Sequence, residues 1–188
     1  MLFRSERSLE IKRKIGSPLD IISTLVNISV VHQEEGRFDV ARKTLDEAMT
    51  FVRPDDPRAR VTVLNRSARL LIVQRKFSEA LPVLREGLTI LDTIDDRLLK
   101  VDMLIRLAEA LVQTGKPNDA ISVANEAADI ALKVQAPFMS GLALEMRARA
   151  NLALNRQDEA LKALTESIDI YDAMRSNIGG GPQQEQEF

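Results

Sequence analysis

Apolar residues recur at three- and four-residue steps along most of the chain. In 19–35, Leu19, Ile22, Leu25, Val26 and Ser29 fall on one face, as an amphipathic helix requires. In 98–114, Leu98, Val101, Leu104, Ile105, Ala108, Leu111 and Val112 do the same. Short polar stretches interrupt this pattern at a regular interval. "GRFDVA" stands at 36–41, "RKFSEA" at 75–80, "GKPNDA" at 115–120 and "NRQDEA" at 155–160. Their closing alanines, Ala41, Ala80, Ala120 and Ala160, are 39, 40 and 40 residues apart. A fixed period in this range signals a repeat architecture.

Other columns keep the same step. Ile11, Phe51, Ile90, Ile130 and Ile170 form one, and Pro18, Pro57, Arg97 and Pro137 another. Ser8, Ala48, Gly87, Ala127 and Ser167 are always small, as are Ser29, Ala68, Ala108 and Ala148. Small residues at fixed places in helices mark where helices cross closely.

The polar stretch then reads as the elbow of a helical hairpin. Gly36, Gly115 and Asn155 suit the left-handed residue that ends a helix, and Arg75 stands there at a local cost. A basic residue follows each time (Arg37, Lys76, Lys116, Arg156), beside the negative end of the finished helix. Asp39, Ser78, Asn118 and Asp158 are expected to cap the next helix. At the other end of each hairpin, Ser17-Pro18 and Asp56-Pro57 read as an N-cap followed by proline at the first helical position. Asp96 is a third cap, and Ala136-Pro137 keeps the proline without one. Helices are expected near 2–15, 18–35, 38–53, 57–74, 78–94, 97–114, 118–134, 137–154 and 158–174. Pro82, early in its helix, predicts a modest local distortion.

Composition narrows the class. The 188 residues are 45% hydrophobic and 29% charged, which fits a folded chain rather than a disordered one. Aromatics are only 4%, with no tryptophan and one tyrosine, so the core is built of Ala, Leu, Ile and Val in closely packed helices. Without cysteine there is no disulfide, thiolate metal site or cysteine nucleophile. A formal net charge of −2 supplies no global field for nucleic acid or anionic membrane, and stacking rings are scarce. No apolar run reaches the length of a spanning helix, and "MLFRSERSLEIKRK" is too charged for a signal peptide. A cytoplasmic location is expected.

With its period and its small crossings, the chain resembles the tetratricopeptide repeat family. The segment "SLEIKRKIGSPLDIISTLVNISVVHQEEGRFDVA" follows the pattern well. The period exceeds the ~34 residues of the common repeat. It resembles the extended variant of kinesin light chains and bacterial regulators. Two features depart from the family. Its large aromatics are replaced by Leu25, Leu64, Leu104 and Leu144, and its glycine at the first crossing is Ser or Ala. The resemblance implies an all-α fold, a right-handed α-solenoid of antiparallel helical hairpins. Residues 1–16 form a partial repeat or capping helix. Four hairpins follow at about 17–55, 56–95, 96–135 and 136–175, together spanning 17–175. Residues 176–188, "SNIGGGPQQEQEF", read as a flexible tail.

The resemblance also implies where a partner binds. In the family the first helix of each hairpin lines a concave groove, and one stripe projects into it. Carried onto this sequence, the stripe holds Asn27 and Val30, Asn65, Arg66 and Arg69, Arg106 and Glu109, then Glu145 and Arg149. Asn27, Asn65, Arg66, Arg69, Arg106 and Arg149 are the candidate partner-binding residues, able to hold a peptide backbone or a carboxylate. Glu109 and Glu145 oppose a fully anionic clamp. The competing reading is an ordinary solvated face with Arg–Glu pairs such as Arg149 with Glu145.

Nothing else carries chemistry. His32 is the single histidine and has no further His or Cys to complete a metal site. Asp55-Asp56 and Asp95-Asp96 sit before helices and read as caps. "IGGGP" lacks the following helix of a phosphate loop. The expectation is a non-catalytic module without cofactor or metal that binds an acidic protein or peptide segment. The alternative is a sensor or oligomerisation domain of a larger regulatory protein. The last helix motivates it, because Leu161, Leu164, Ile168 and Tyr171 form an apolar face with no following helix to cover it, a surface for self-association.

Overall fold

The computed structural model describes residues 2–179, with side chains from 7 to 176. The glutamine-rich part of the expected tail, 180–188, lies outside the described residues. The described chain is a run of helices: α1 (Leu2–Ile15), α2 (Pro18–Glu34), α3 (Phe38–Thr50), α4 (Pro57–Val73), α5 (Phe77–Leu91), α6 (Arg97–Gln113), α7 (Pro117–Lys133), α8 (Pro137–Ala153) and α9 (Gln157–Gly179). The last continues five residues past its expected end near 174. α5 runs on through Pro82.

Helix starts at the hairpin mouths follow the side chains. Ser17 and Asp20 form a capping box, Ser17 Oγ accepting from Asp20 N–H and Asp20 Oδ2 from Ser17 N–H at 3.2 Å. Asp56 accepts from Ala59 N–H at 2.9 Å and Asp96 from Leu99 N–H at 3.1 Å. Ala136 makes no such bond.

The elbows are tighter than the sequence suggests. Asp39, Ser78 and Asn118 do not cap. The N-cap positions are Arg37, Lys76 and Lys116, without a side-chain cap bond, and the supposed caps lie in the first turn. Asp158 likewise lies inside α9. The reason is a backbone motif with no room for another residue. Gly36 N–H bonds Gln33 O and Arg37 N–H bonds His32 O at 2.8 Å, the paired bonds of a Schellman ending. Arg37 O then accepts from Ala41 N–H at 3.0 Å, the first bond of α3. One basic residue therefore closes one helix and opens the next. Lys76, Lys116 and Arg156 repeat this with Ala80, Ala120 and Ala160. The left-handed residue is Gly36 (φ 72°), Arg75 (φ 59°), Gly115 (φ 75°) and Asn155 (φ 58°). Gln135 (φ 56°) does the same between hairpins, before Pro137. Arginine carries a Cβ penalty in that conformation. Arg75→Gly is therefore expected to raise stability by about 0.5–1 kcal/mol, read as a higher denaturant midpoint at unchanged m-value.

Ala41, Ala80, Ala120 and Ala160, and the two other small columns from Ser29 and Ala48 onward, are all buried at crossings. Each even-numbered helix packs against the helices before and after it. α2 also touches α4, α4 touches α6 and α6 touches α8. The odd-numbered helices do not pack on one another among the described residues, and only side-chain ion pairs bridge them, Arg13–Glu47 between α1 and α3 and Arg42–Glu79 between α3 and α5. α2, α4, α6 and α8 are thus drawn together on the inner face while α3, α5, α7 and α9 splay on the outer one. The main apolar core runs from α4 to α8, through Val61, Leu84, Met103, Leu111 and Ala124. A second cluster holds α1 and the first hairpin through Leu9, Ile22, Leu25 and Val63. A small separate cluster of Ala41, Leu45 and Leu70 lies at the junction of the first and second hairpins.

Candidate functional site

Asn65, Arg66, Arg69 and Arg106 come together on the inner face. The first three share α4 and the last lies on α6. Arg106 faces Asp102 one turn earlier, with Nη2 at 2.7 Å from Oδ1 and Nε at 3.2 Å from Oδ2. Asn65 Nδ2 donates to the same Asp102 at 3.1 Å, tying α4 to α6. Asp102 is the hub of this cluster. The pair is partly buried, and its two-pronged geometry fixes the Arg106 fork.

Arg66 and Arg69 enter no ion pair among the described residues. The Arg66 guanidinium is pushed below its ordinary pKa first by burial, then by Arg69 and Arg106; Glu34 and Asp102 oppose the shift. Arg69 is lowered by burial and then by Arg106, with Asp102 opposing. Both stay protonated at neutral pH, because arginine does not lose its proton in proteins. Among the neighbouring charges the arginines act on both groups more strongly than Glu34 and Asp102 do, so an anion placed there relieves repulsion. Asn65 Oδ1 is buried and accepts no hydrogen bond. Its orientation is fixed by chemistry, since turning the amide over would set its oxygen against the Asp102 carboxylate.

The other two candidates lie apart from this group. Asn27 occupies on α2 the repeat position that Arg66 and Arg106 hold on α4 and α6, and it is exposed. Arg149, on α8, is exposed beside Leu152, Leu164 and Ile168 in a shallow depression against α9. It makes no ion pair with Glu145, whose Oε1 accepts from Tyr171 Oη at 3.0 Å instead. The sequence reading did not single out Asp102. Its signal was the four-residue step to Arg106, which places the two on one helix face. His32 is buried on α2 with no partner for Nδ1.

Among the described residues, no group of three or more His, Asp or Glu is placed to hold a metal ion, and no helix is long and apolar enough to cross a membrane.

No family model matches the chain, and no curated protein matches its sequence. Solved structures match its shape. The TPR-like repeats of a putative kinesin light chain from Podosopora anserina superpose with a TM-score of 0.75 at 16% identity, over 93% of this chain and 87% of that one. A signal-transduction ATPase with numerous domains and a tetratricopeptide repeat sensor, from Pyrococcus horikoshii, gives 0.79 at 15% identity over 90% of this chain. The chain spans 26% of that protein. Bacillus thuringiensis PlcR, solved with the peptide PapR7 and DNA, gives 0.75 at 13% identity, covering 94% of this chain and 67% of that one. The elbow motif, the buried small columns and these superpositions agree: the chain folds as a tetratricopeptide-repeat-like solenoid of helical hairpins.

Proposed function

We propose that the chain is a non-catalytic protein-interaction module whose inner face takes up an acidic peptide or protein segment. The observation that carries this is the juxtaposition of Arg66, Arg69 and Arg106, whose mutual repulsion Glu34 and the hub carboxylate Asp102 only partly offset. The guanidinium forks of Arg66 and Arg69 match carboxylates of the segment, and Arg106 adds its charge beside them. The structural neighbours support the class of function. PlcR was solved with a peptide, and the repeats of the Pyrococcus protein are described as a sensor.

Affinity capture from source-cell lysate with mass spectrometry tests it, run on the native chain and on the Arg66→Glu/Arg69→Glu variant, which leaves the Arg106–Asp102 pair in place. A protein held by the first and released by the second identifies the client. Capture unchanged by the variant overturns the groove assignment.

A second reading has its own observation. Leu161, Leu164 and Ile168 of α9 are exposed, and α9 packs only on α8 among the described residues. This supports α9 as a surface for self-association or for a further part of a larger regulator. Light scattering across a concentration series distinguishes it. A mass that rises with concentration, and stays monomeric in Leu161→Lys/Ile168→Lys, supports this reading. A monomer at every concentration counts against self-association.

A further inference from the structure

The first and second hairpins do not close on each other as the later ones do. A cleft of about 210 Å3 opens between α3 and α5 and is floored by α4. Its walls are Leu45 and Met49 from α3, Leu64 and Leu71 from α4, and Val83 from α5. It lies among the outer helices and is independent of the arginine cluster.

The repeat register explains why it exists. Stepping one period along the chain, Ser67 of α4 corresponds to Leu107 of α6, and Arg42 of α3 to Leu81 of α5. Leu81 and Leu107 are both buried in the main core. At the next step the two positions hold Ile121 and Arg147. The first junction is therefore the one with a two-atom side chain at the floor and a charge at the wall. The core is interrupted at the same place: Leu45 and Leu70 belong to a small cluster of their own, while Leu71 joins the main one.

The size of the cleft limits the occupant. An apolar cavity of ~150 Å3 holds a benzene ring, and drug-sized ligands need about 300 Å3 or more. The cleft falls between, which suits one ring or one branched chain. Its rim carries both signs of charge. Arg42 reaches across the mouth toward Glu79 of α5, with Nη1 at 3.7 Å from Oε2, too long for a hydrogen bond. Asp46 stands four residues after Arg42 on the same helix face and enters no ion pair among the described residues. A guanidinium and an unpaired carboxylate one turn apart, above an apolar slot, match an ammonium and a carboxylate on one carbon above an apolar side chain.

We infer that the cleft between α3, α4 and α5 is a binding site for a free α-amino acid with a large apolar side chain. The side chain enters over Ser67, the carboxylate meets Arg42 and the ammonium meets Asp46.

Met49 in the wall gives a local reporter. The chain is labelled with 13C-methyl methionine and titrated with L-phenylalanine and L-leucine to about 10 mM, a ceiling set by the small number of atoms such a ligand can bury. The expected result is a saturable shift of the Met49 methyl while Met139 and Met146 stay in place. Phenylalaninamide, which lacks the carboxylate, and N-acetylphenylalanine, which lacks the ammonium, should each bind about fivefold or more weakly. Ser67→Leu, which installs the residue of the next repeat, should abolish the shift and raise Tm. Asp46→Asn, on the exposed rim, should leave Tm unchanged and weaken binding by a similar factor. A Met49 methyl that no amino acid moves overturns the inference. So does a shift that survives Ser67→Leu, or one produced equally well by N-acetylphenylalaninamide.

Discussion

Arg66→Glu/Arg69→Glu is expected to weaken capture of an acidic segment by about 100-fold or more, since each charge-assisted contact is worth roughly 1.5–3 kcal/mol. This pair is a cleaner variant than one that includes position 106. Among the described residues neither Arg66 nor Arg69 takes part in an ion pair, and both are lowered in pKa by burial and by neighbouring positive charge. Reversing them removes repulsion from the free chain, so its stability should hold or rise. Reversing Arg106 instead places a second carboxylate beside Asp102, one turn away, and strips the hub of its two-pronged partner. A loss of binding there would mix recognition with local destabilisation. Calorimetry with the captured client checks the pair. The loss should shrink as salt rises from low ionic strength, because the Debye length falls to about 8 Å at physiological salt.

The hub supplies a change in the other direction. Asp102→Asn keeps the side chain's shape and an acceptor for Asn65 and Arg106 while removing the compensating charge. The acidic client should then bind tighter, by roughly three- to tenfold at low salt. Tighter binding from Asp102→Asn and weaker binding from the arginine pair together would assign the effect to the potential of the inner face. If Asp102→Asn weakens binding as much as the arginine pair does, the cluster is a structural tie between α4 and α6 and the anion site must be sought elsewhere.

The period of the chain was legible because it is a constraint on volume. Ala41, Ala80, Ala120 and Ala160 must be small where hairpins cross, and small residues at fixed steps stand out in any sequence. The left-handed elbow at Arg75 was also legible, by its column, although the residue type argues against it. The capping error at Asp39, Ser78 and Asn118 has a different source. Side-chain caps are read from residue type, but here backbone bonds from Arg37, Lys76 and Lys116 close both helices at once, and backbone bonds leave no trace in residue type. The candidate site divides along similar lines. The stripe put Arg66, Arg69 and Arg106 in one column set, and they are neighbours in space. It could not show that Asp102 would reach across to Asn65, because that contact joins residues 37 apart through the packing of α4 on α6. The cleft at Ser67 is an absence of volume. It becomes visible only when each position is compared with its own counterpart one repeat later.

Gly141→Ala should destabilise the last hairpin more than Gly87→Ala destabilises the middle ones, although both glycines sit inside helices where alanine is intrinsically better by about 1 kcal/mol. A Cβ on Gly141 falls 2.6 Å from Cε1 and Cζ of Tyr171 and 2.8 Å from its Oη. The ring is stiff and doubly held, by Glu145 through its hydroxyl and by Phe138, whose centroid lies 6.0 Å away. It must move as a body, and the Tyr171–Glu145 hydrogen bond goes with it. At Gly87 the obstacle is the end of the Met103 side chain, which has torsions to yield with. Overpacking of this kind costs roughly 1–3 kcal/mol, so Gly141→Ala is expected to lower Tm by about 4–8 °C and Gly87→Ala by less. Tyr171 is the single tyrosine in a chain without tryptophan, so near-ultraviolet dichroism reports this contact directly. The same contact predicts an alkaline limit. Burial, then the hydrogen bond and the charge of Glu145, raise the Tyr171 pKa above its ordinary value. A raised pKa means that the contribution is complete below the unfolded value of about 10 and is lost as pH climbs through the folded one. Tyr171→Phe should flatten that alkaline decline while losing about 1 kcal/mol at neutral pH with its hydrogen bond. A decline that persists unchanged in Tyr171→Phe would place the alkaline sensitivity on other groups, and equal Tm losses at Gly87 and Gly141 would show that the ring is free to swing aside.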